Sequence, residues 1–336
     1  MNSCLKYFSA SLLALATQAA FAQVPQLGAA SDFAVLSVGT STATPPPAPD
    51  ATAAVTTTRS TITGNVGSAG AVSFGDATSP SVITGNVVLS GAYTQVPASP
   101  PAYSGMLTSP LPAAAITGFN DAYDALADVP CDQDQMLTQA AYADTTLSFN
   151  PGVICSLAAV TFTRTTLRLT GGSNATWLFK IGTGGTGALT GTDSSVVTAG
   201  DACNVTWWVA QAATVTRGDF KGTILAGAAD PVTGAAITMT GVAPATPFEG
   251  RALATAAVTL TDMAFIGCEG GGGGGNGNGK GKGKCNQGVG NGPENCDPGN
   301  SNQDGHGSNP FDGARNTNDE LGGTPGNPGR KGGNIK

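Results

Sequence analysis

Ile62-Thr63-Gly64-Asn65-Val66 recurs twenty-one residues downstream as Ile83-Thr84-Gly85-Asn86-Val87. Other segments keep the same two-residue rhythm: Val160-Thr161-Phe162-Thr163, Ile237-Thr238-Met239-Thr240 and Val258-Thr259-Leu260-Thr261, with Val215 set between Thr214 and Thr216. Successive side chains of a strand point to opposite faces, so each string puts its large apolar residues on one side and threonine on the other. Their β-branched content favours strands. Short strands, punctuated by glycine at a repeat near twenty residues, predict a β-solenoid whose coils bury their apolar faces only against one another. A β-sandwich is the alternative. Any one such string is simply a half-buried strand; the pattern shared by several favours a stack.

One segment breaks the rhythm. Ile116, Phe119, Tyr123 and Leu126 fall three and four apart, a single helical stripe, with Asp121, Asp124 and Asp128 toward the other side. Pro112 suits the first turn and Pro130 ends the helix. Such a helix must lay its stripe along the sheet body, covering one flank and leaving others open. Trp207 and Trp208 are adjacent, so in a strand they diverge: one belongs to the core, and the other is either a sugar-stacking ring or an anchor under the helix.

Composition removes much of enzyme space. The chain has 336 residues, a net charge of −7 and one histidine, His306, placed near the C-terminus. Histidine triads, histidine-based zinc sites and a histidine general base are thereby excluded from the rest of the chain. The negative charge argues against a nucleic-acid partner. No cofactor and no metal are expected.

The two ends differ from the middle. Lys6, a short apolar run and Ala20-Phe21-Ala22 read as a signal peptide over 1–22, followed by a mature chain starting at Gln23, secreted or held at the cell surface. Residues 269–336 hold 23 of the 49 glycines and little apolar surface, so they predict a disordered tail outside the folded region 23–268. Within the tail, Asn300-Ser301-Asn302-Gln303-Asp304-Gly305 echoes the start of a calcium loop, but Phe311 stands where the closing glutamate is required. Beyond the leader, Cys131, Cys155, Cys203, Cys268, Cys285 and Cys296 make an even set, the usage of an exported disulfide protein. Local proximity and closure of the domain end suggest Cys131–Cys155, Cys203–Cys268 and Cys285–Cys296 among fifteen possible pairings.

Several segments, in order, carry a resemblance. They are Leu27-Gly-Ala-Ala-Ser-Asp-Phe-Ala-Val-Leu36, Thr63-Gly-Asn65, Ala122-Tyr-Asp124, Phe149-Asn-Pro-Gly-Val153 and Thr176-Trp-Leu-Phe-Lys-Ile181. Ala202-Cys-Asn-Val-Thr-Trp-Trp-Val209, Phe220-Lys-Gly-Thr-Ile-Leu-Ala226, Gly250-Arg-Ala-Leu-Ala254 and Ala257-Val-Thr-Leu260 follow. Together they resemble the irregular β-solenoid ice-binding (antifreeze) proteins of cold-adapted bacteria, fungi and algae. The resemblance implies a mainly β fold: a discontinuous triangular β-solenoid with one long α-helix alongside, no catalysis, and a flat Thr/Ser/Ala/Asn-rich face for ice. The chain departs from it at the proline-rich insertion Thr44–Asp50 and in a longer run between Leu225 and Gly250. Arg164 and Arg168 would also spoil a flat surface, which sets their strand outside the contact face.

Ice recognition needs many weak contacts in one plane. Threonine offers a methyl group, a hydroxyl and a stiff χ1 that reduces the entropy lost on binding. The candidate outward groups are Thr63, Asn65, Thr84, Asn86, Thr214, Thr216, Thr223, Thr238, Thr240, Thr259 and Thr261, of which one face can hold only a subset. Outward threonine is also what any exposed solenoid strand tends to carry. Three functions compete: a monomeric secreted ice-binding protein, a cell-surface adhesin or matrix/polysaccharide-binding module using the tail as tether, and a polysaccharide-degrading β-helix enzyme. The last would need clustered carboxylates, and no Asp-Asp pair is present.

Overall fold

The computed structural model describes residues 26–40, 49–76, 78–97, 100–227, 234–243 and 245–268. The expected leader, the glycine-rich tail, Cys285–Cys296 and most of the proline-rich insertion lie outside the described residues.

Three stacks of parallel strands form the walls of a triangular solenoid. The first wall runs through nine strands, in spatial order Ala141–Ala143, Val160–Thr163, Leu189–Thr192, Ala213–Thr216, Ile237–Thr240, Val258–Thr261, Ala54–Thr58, Ala71–Gly75 and Tyr93–Val96. The second runs from Gly152–Ser156 through Trp177–Ile181, Val205–Val209, Lys221–Ala226 and Thr246–Ala254 to Phe33–Ser37, Asn65–Ser68, Val87–Leu89 and Leu107–Thr108. The third is split. Thr146–Phe149, Thr166–Leu169 and Ser195–Thr198 make one part; Met263–Gly267, Thr61–Thr63 and Val82–Thr84 make the other, paired to the first half of Thr246–Ala254.

Spatial order is not chain order. The first coils grow away from the middle toward Leu107–Thr108; the helix Ala113–Ala127 then returns the chain to the far end, and the later coils grow back until Val258 pairs with Val55. At about 1.5 Å per residue the helix covers about 22 Å, while the eight strand spacings of the second wall extend about 38 Å. Pro112 caps the helix start rather than occupying its first turn.

The interior is a ladder of inward-facing residues. Phe179 stacks on Trp207 with ring centroids 4.1 Å apart, Trp207 leans on Phe220, and Phe149 meets Phe179 edge-on. A second apolar layer lies outside the second wall: Phe33, Leu36, Val153, Leu178, Trp208, Leu225 and Leu253 pack against Ala115, Phe119, Ala122 and Leu126 of the helix. Strands of this wall are therefore apolar on both sides, as strands buried on both faces must be. Trp207 is the core member of the tryptophan pair. Trp208 is the helix anchor, stacked on Tyr123 and donating Nε1–H to the Tyr123 carbonyl at 3.0 Å. Lys180 is buried beside it and donates Nζ–H to the carbonyls of Ala127 (2.7 Å) and Val129 (2.6 Å), closing the helix C-terminus. Two disulfides join Cys131 to Cys155 and Cys203 to Cys268.

Candidate functional site

The first wall has alternating strands: Val, Leu, Ile or Phe inward, threonine outward. Its register passes through all nine strands with no shift, so outward residues of successive coils stand side by side. They form two ranks. One is Thr161, Thr190, Thr214, Thr238, Thr259 and Thr56; the other is Thr163, Thr192, Thr216, Thr240, Thr261 and Thr58. With strands about 4.8 Å apart and alternate residues about 6.6 Å apart along a strand, the threonines make a grid about 24 Å long. At one end it continues into Ala141 and Ala143, at the other into Ser73 and Thr94. Each of the twelve threonines is half-buried by its neighbours. The helix packs on the second wall and leaves this one open.

The sequence candidates separate. Thr214, Thr216, Thr238, Thr240, Thr259 and Thr261 stand on the grid. Thr63 and Thr84 sit next to each other on the third wall, with Ile266 as the next residue in the row. Asn65 and Asn86 belong to a backbone-capping ladder: the Asn65 side chain accepts from the Asn86 N–H at 2.9 Å, and the Asn86 side chain accepts from the Met106 N–H at 2.8 Å. Thr223 is corrected outright. It lies on the second wall, is only 1 % exposed, and has no access to solvent. Arg164 and Arg168 do not share one strand: Arg164 follows Val160–Thr163, whose Thr161 and Thr163 stand on the grid, and Arg168 belongs to Thr166–Leu169. Arg164 stands at the corner beyond, in a left-handed turn at φ 47°. Arg168 lies on the third wall, in a strand paired to Thr146–Phe149.

That corner repeats along the stack. The residue following the outer-rank position is charged and left-handed in Asp144, Arg164, Asp193, Arg217, Asp262 and Arg59, with φ between 47° and 57°. Its N–H donates to an outer-rank carbonyl of the next coil: Asp144 to Thr163, Arg164 to Thr192, Asp193 to Thr216, Arg217 to Thr240 and Asp262 to Thr58, at 2.8–3.0 Å. The next residue turns inward. Ser60, Thr165 and Ser194 are buried, and their hydroxyls donate back to the carbonyls of Thr58, Thr163 and Thr192 at 2.9–3.2 Å.

The charges along the corner are paired by two-pronged contacts: Arg164 on Asp144, Arg217 on Asp193 and Arg59 on Asp262, with Arg59 also reaching Asp76 at 2.8 Å. Hydrogen bonds from these guanidinium groups hold the carboxyls of Asp144, Asp193 and Asp262 below the ordinary carboxylate range. The Thr78 hydroxyl first, then Arg59, does the same for Asp76. The third wall carries charge on its face in Arg168, and Lys221 and Glu249, at the beginnings of second-wall strands, extend its Ile266 row with Asp219 beside them, whereas the outward positions of the first wall carry none. Among the described residues no group of three or more His, Cys, Asp or Glu could hold a metal ion.

An Ice-binding-like family model matches residues 50–265, which include the whole grid and its corner. The chain belongs to the ice-binding-like family. Solved structures to which the chain is similar include an ice-binding protein from an Antarctic biological consortium (23% identity, 73% of this chain and 92% of that one, TM-score 0.48). A glycosylated ice-binding protein from an Arctic yeast is 21% identical over 73% of this chain and 94% of its own, with TM-score 0.48. An ice-binding protein domain of Shewanella frigidimarina is 18% identical over 74% and 98%, with TM-score 0.46. A search of curated proteins returned no match.

The sequence reading missed half of the grid. Thr56 and Thr58 sit in a string, Ala54-Val-Thr-Thr-Thr58, where a threonine also faces inward; Thr190 and Thr192 flank Gly191 on the inward side. Both interruptions hide the alternation that marks the other strands.

Proposed function

We propose that this protein binds ice through the open threonine wall, and that it inhibits ice growth outside the cell. The observation that carries this is the pair of threonine ranks, six coils long, in unbroken register and without a charged member. Ice presents water oxygens at fixed positions, so a ligand must meet many of them at once, with little entropy to lose. A parallel sheet fixes the backbone of each contact, and threonine's restricted χ1 fixes the side chain. The methyl groups favour ordered water beside them, while each hydroxyl accepts and donates to that layer. Strongly hydrated ammonium or carboxylate groups would compete for the same water. A single chain carries the whole array, so a monomer suffices. The two disulfides fit an oxidising compartment, as expected of an exported chain.

The test is adsorption of purified protein to a growing ice surface, together with thermal hysteresis. Wild type is expected to enter the ice and shape crystals. Thr238→Tyr, at the centre of the grid, is expected to lose both while melting at the wild-type temperature. Wild-type protein left wholly in the liquid would end the proposal.

A further inference from the structure

The corner beside the threonine wall is chemically odd. A left-handed residue is needed there, and glycine or asparagine would meet the need with least strain. The chain instead places arginine at Arg59, Arg164 and Arg217, with aspartate at Asp144, Asp193 and Asp262. A left-handed arginine carries a steric penalty that glycine escapes, and residues held in such conformations cluster where the surrounding structure uses them. Signs alternate along the stack: Asp144, Arg164, Asp193 and Arg217, then, after Gly241, Asp262, Arg59 and Asp76. Each bidentate pair joins adjacent coils. Arg59 joins three, bridging Asp262 and Asp76.

We propose that this alternating ladder is the positioning device of the ice-contact wall: it clamps neighbouring coils together beside the outer threonine rank and sets that rank's spacing and tilt. The inference rests on the ice-binding reading above. Up to three connections converge on an outer-rank threonine, and all three meet at Thr58, Thr163 and Thr192. The ladder side chain follows it in the chain; the ladder N–H of a neighbouring coil binds its carbonyl; and in three coils a buried hydroxyl binds the same carbonyl from within. The backbone on either side of the outer rank is thereby fixed against sliding and rolling. The inner rank has no such fence. Pairing also matters for the water layer: a lone guanidinium at the rim would order water around itself, whereas one whose fork is filled by a carboxylate on the next coil does so less. The ladder residues are thus positioning residues, not contacts.

The test compares full-length variants for ice adsorption and for melting temperature. Arg217→Gln removes one fork, and Arg217→Gly removes it while relieving the left-handed strain, so folding is not at risk. Both are expected to reduce ice adsorption about tenfold, equivalent to about 1.4 kcal/mol. The melting temperature is expected to move by no more than about 4 °C, because solvent screens an exposed pair. Exchanging both pairs together, Asp144→Arg/Arg164→Asp/Asp193→Arg/Arg217→Asp, keeps the forks and the alternation of sign and is expected to retain adsorption. Lys221→Gln removes an ion pair to Asp219 on the third wall and should change nothing. Adsorption unchanged in both Arg217 variants would overturn the inference while leaving the ice-binding reading intact. So would a fourfold exchange that keeps the melting temperature but loses adsorption. Wild type that fails to adsorb overturns the reading itself.

Discussion

Two walls of this solenoid share strand direction, spacing and interior, yet their outer surfaces have opposite chemistry. The second wall faces outward with Leu178, Trp208, Leu225 and Leu253 and is roofed by the helix. The first faces outward with threonine and is left open. A strand such as Val205-Thr-Trp-Trp-Val209 is buried on both sides; Ile237-Thr-Met-Thr240 is buried on one. The difference teaches a division of labour: one wall spends its outer surface on stability, so the other need contribute nothing there and is free to carry residues chosen for what they touch. Even the polar groups divide this way. Thr206 and Thr223 are sealed on the second wall, whereas threonines on the first remain partly open.

If that division holds, substitutions under the roof should change stability without changing the ice contact of the molecules that fold. Phe119→Ala empties the centre of the helix stripe, where the ring is fully buried. It should destabilise by about 3–5 kcal/mol, read by thermal or urea unfolding, with adsorption per folded molecule unchanged. Reduced adsorption at full folding would show that the walls are coupled. Lys180→Met keeps the stem but leaves the carbonyls of Ala127 and Val129 without their buried donor. A loss of about 2 kcal/mol is expected, again with adsorption intact.

Inside the first wall the sign reverses. Thr57 points into the core between Leu260 and Phe74, and its hydroxyl has no partner among the described residues. Thr57→Val should stabilise by about 1 kcal/mol. On the outer side Thr259→Val should shift stability by less than about 0.5 kcal/mol yet weaken adsorption, separating the hydroxyl's contribution from the methyl's.

The smallest effect is expected from pH. The corner carboxyls titrate below their unfolded value of about 3.9. A carboxyl whose folded pKa is depressed contributes its stability above the unfolded value and loses it as pH falls through the folded one. Melting temperature and adsorption should therefore stay level from neutral pH down to about 5, then decline in stronger acid. A decline already between pH 7 and 5 would mean that another group governs the wall.

Much of this architecture could be read from residue order. Alternation in Val258-Thr-Leu-Thr261 located strands, and the stripe through Phe119 and Leu126 located the helix and its buried side. What could not be read was adjacency. Thr63 and Thr223 sit in strings as good as that of Thr238, but the chain turns a corner between them, and only the coil path decides which wall each joins. Arg164 misled for a related reason. A charge after a threonine strand looks like a member of it until the left-handed backbone is known. The repeated signal was present, however: Thr58-Arg-Ser60, Thr163-Arg-Thr165 and Thr192-Asp-Ser194 share an outward threonine, a charge and an inward hydroxyl.

The route of the chain also governs when the grid can exist. Ala54–Thr58 lies between Val258–Thr261 and Ala71–Gly75, so the last coil of the grid joins the other five across a seam between segments about two hundred positions apart. Contacts that distant close late and slowly. A ribosome must release nearly the entire domain before six coils can line up, because five of them, Val160–Thr163 to Val258–Thr261, follow in chain order and the sixth, Ala54–Thr58, waits for the last of these. The full length of the array is thereby reserved for the finished molecule.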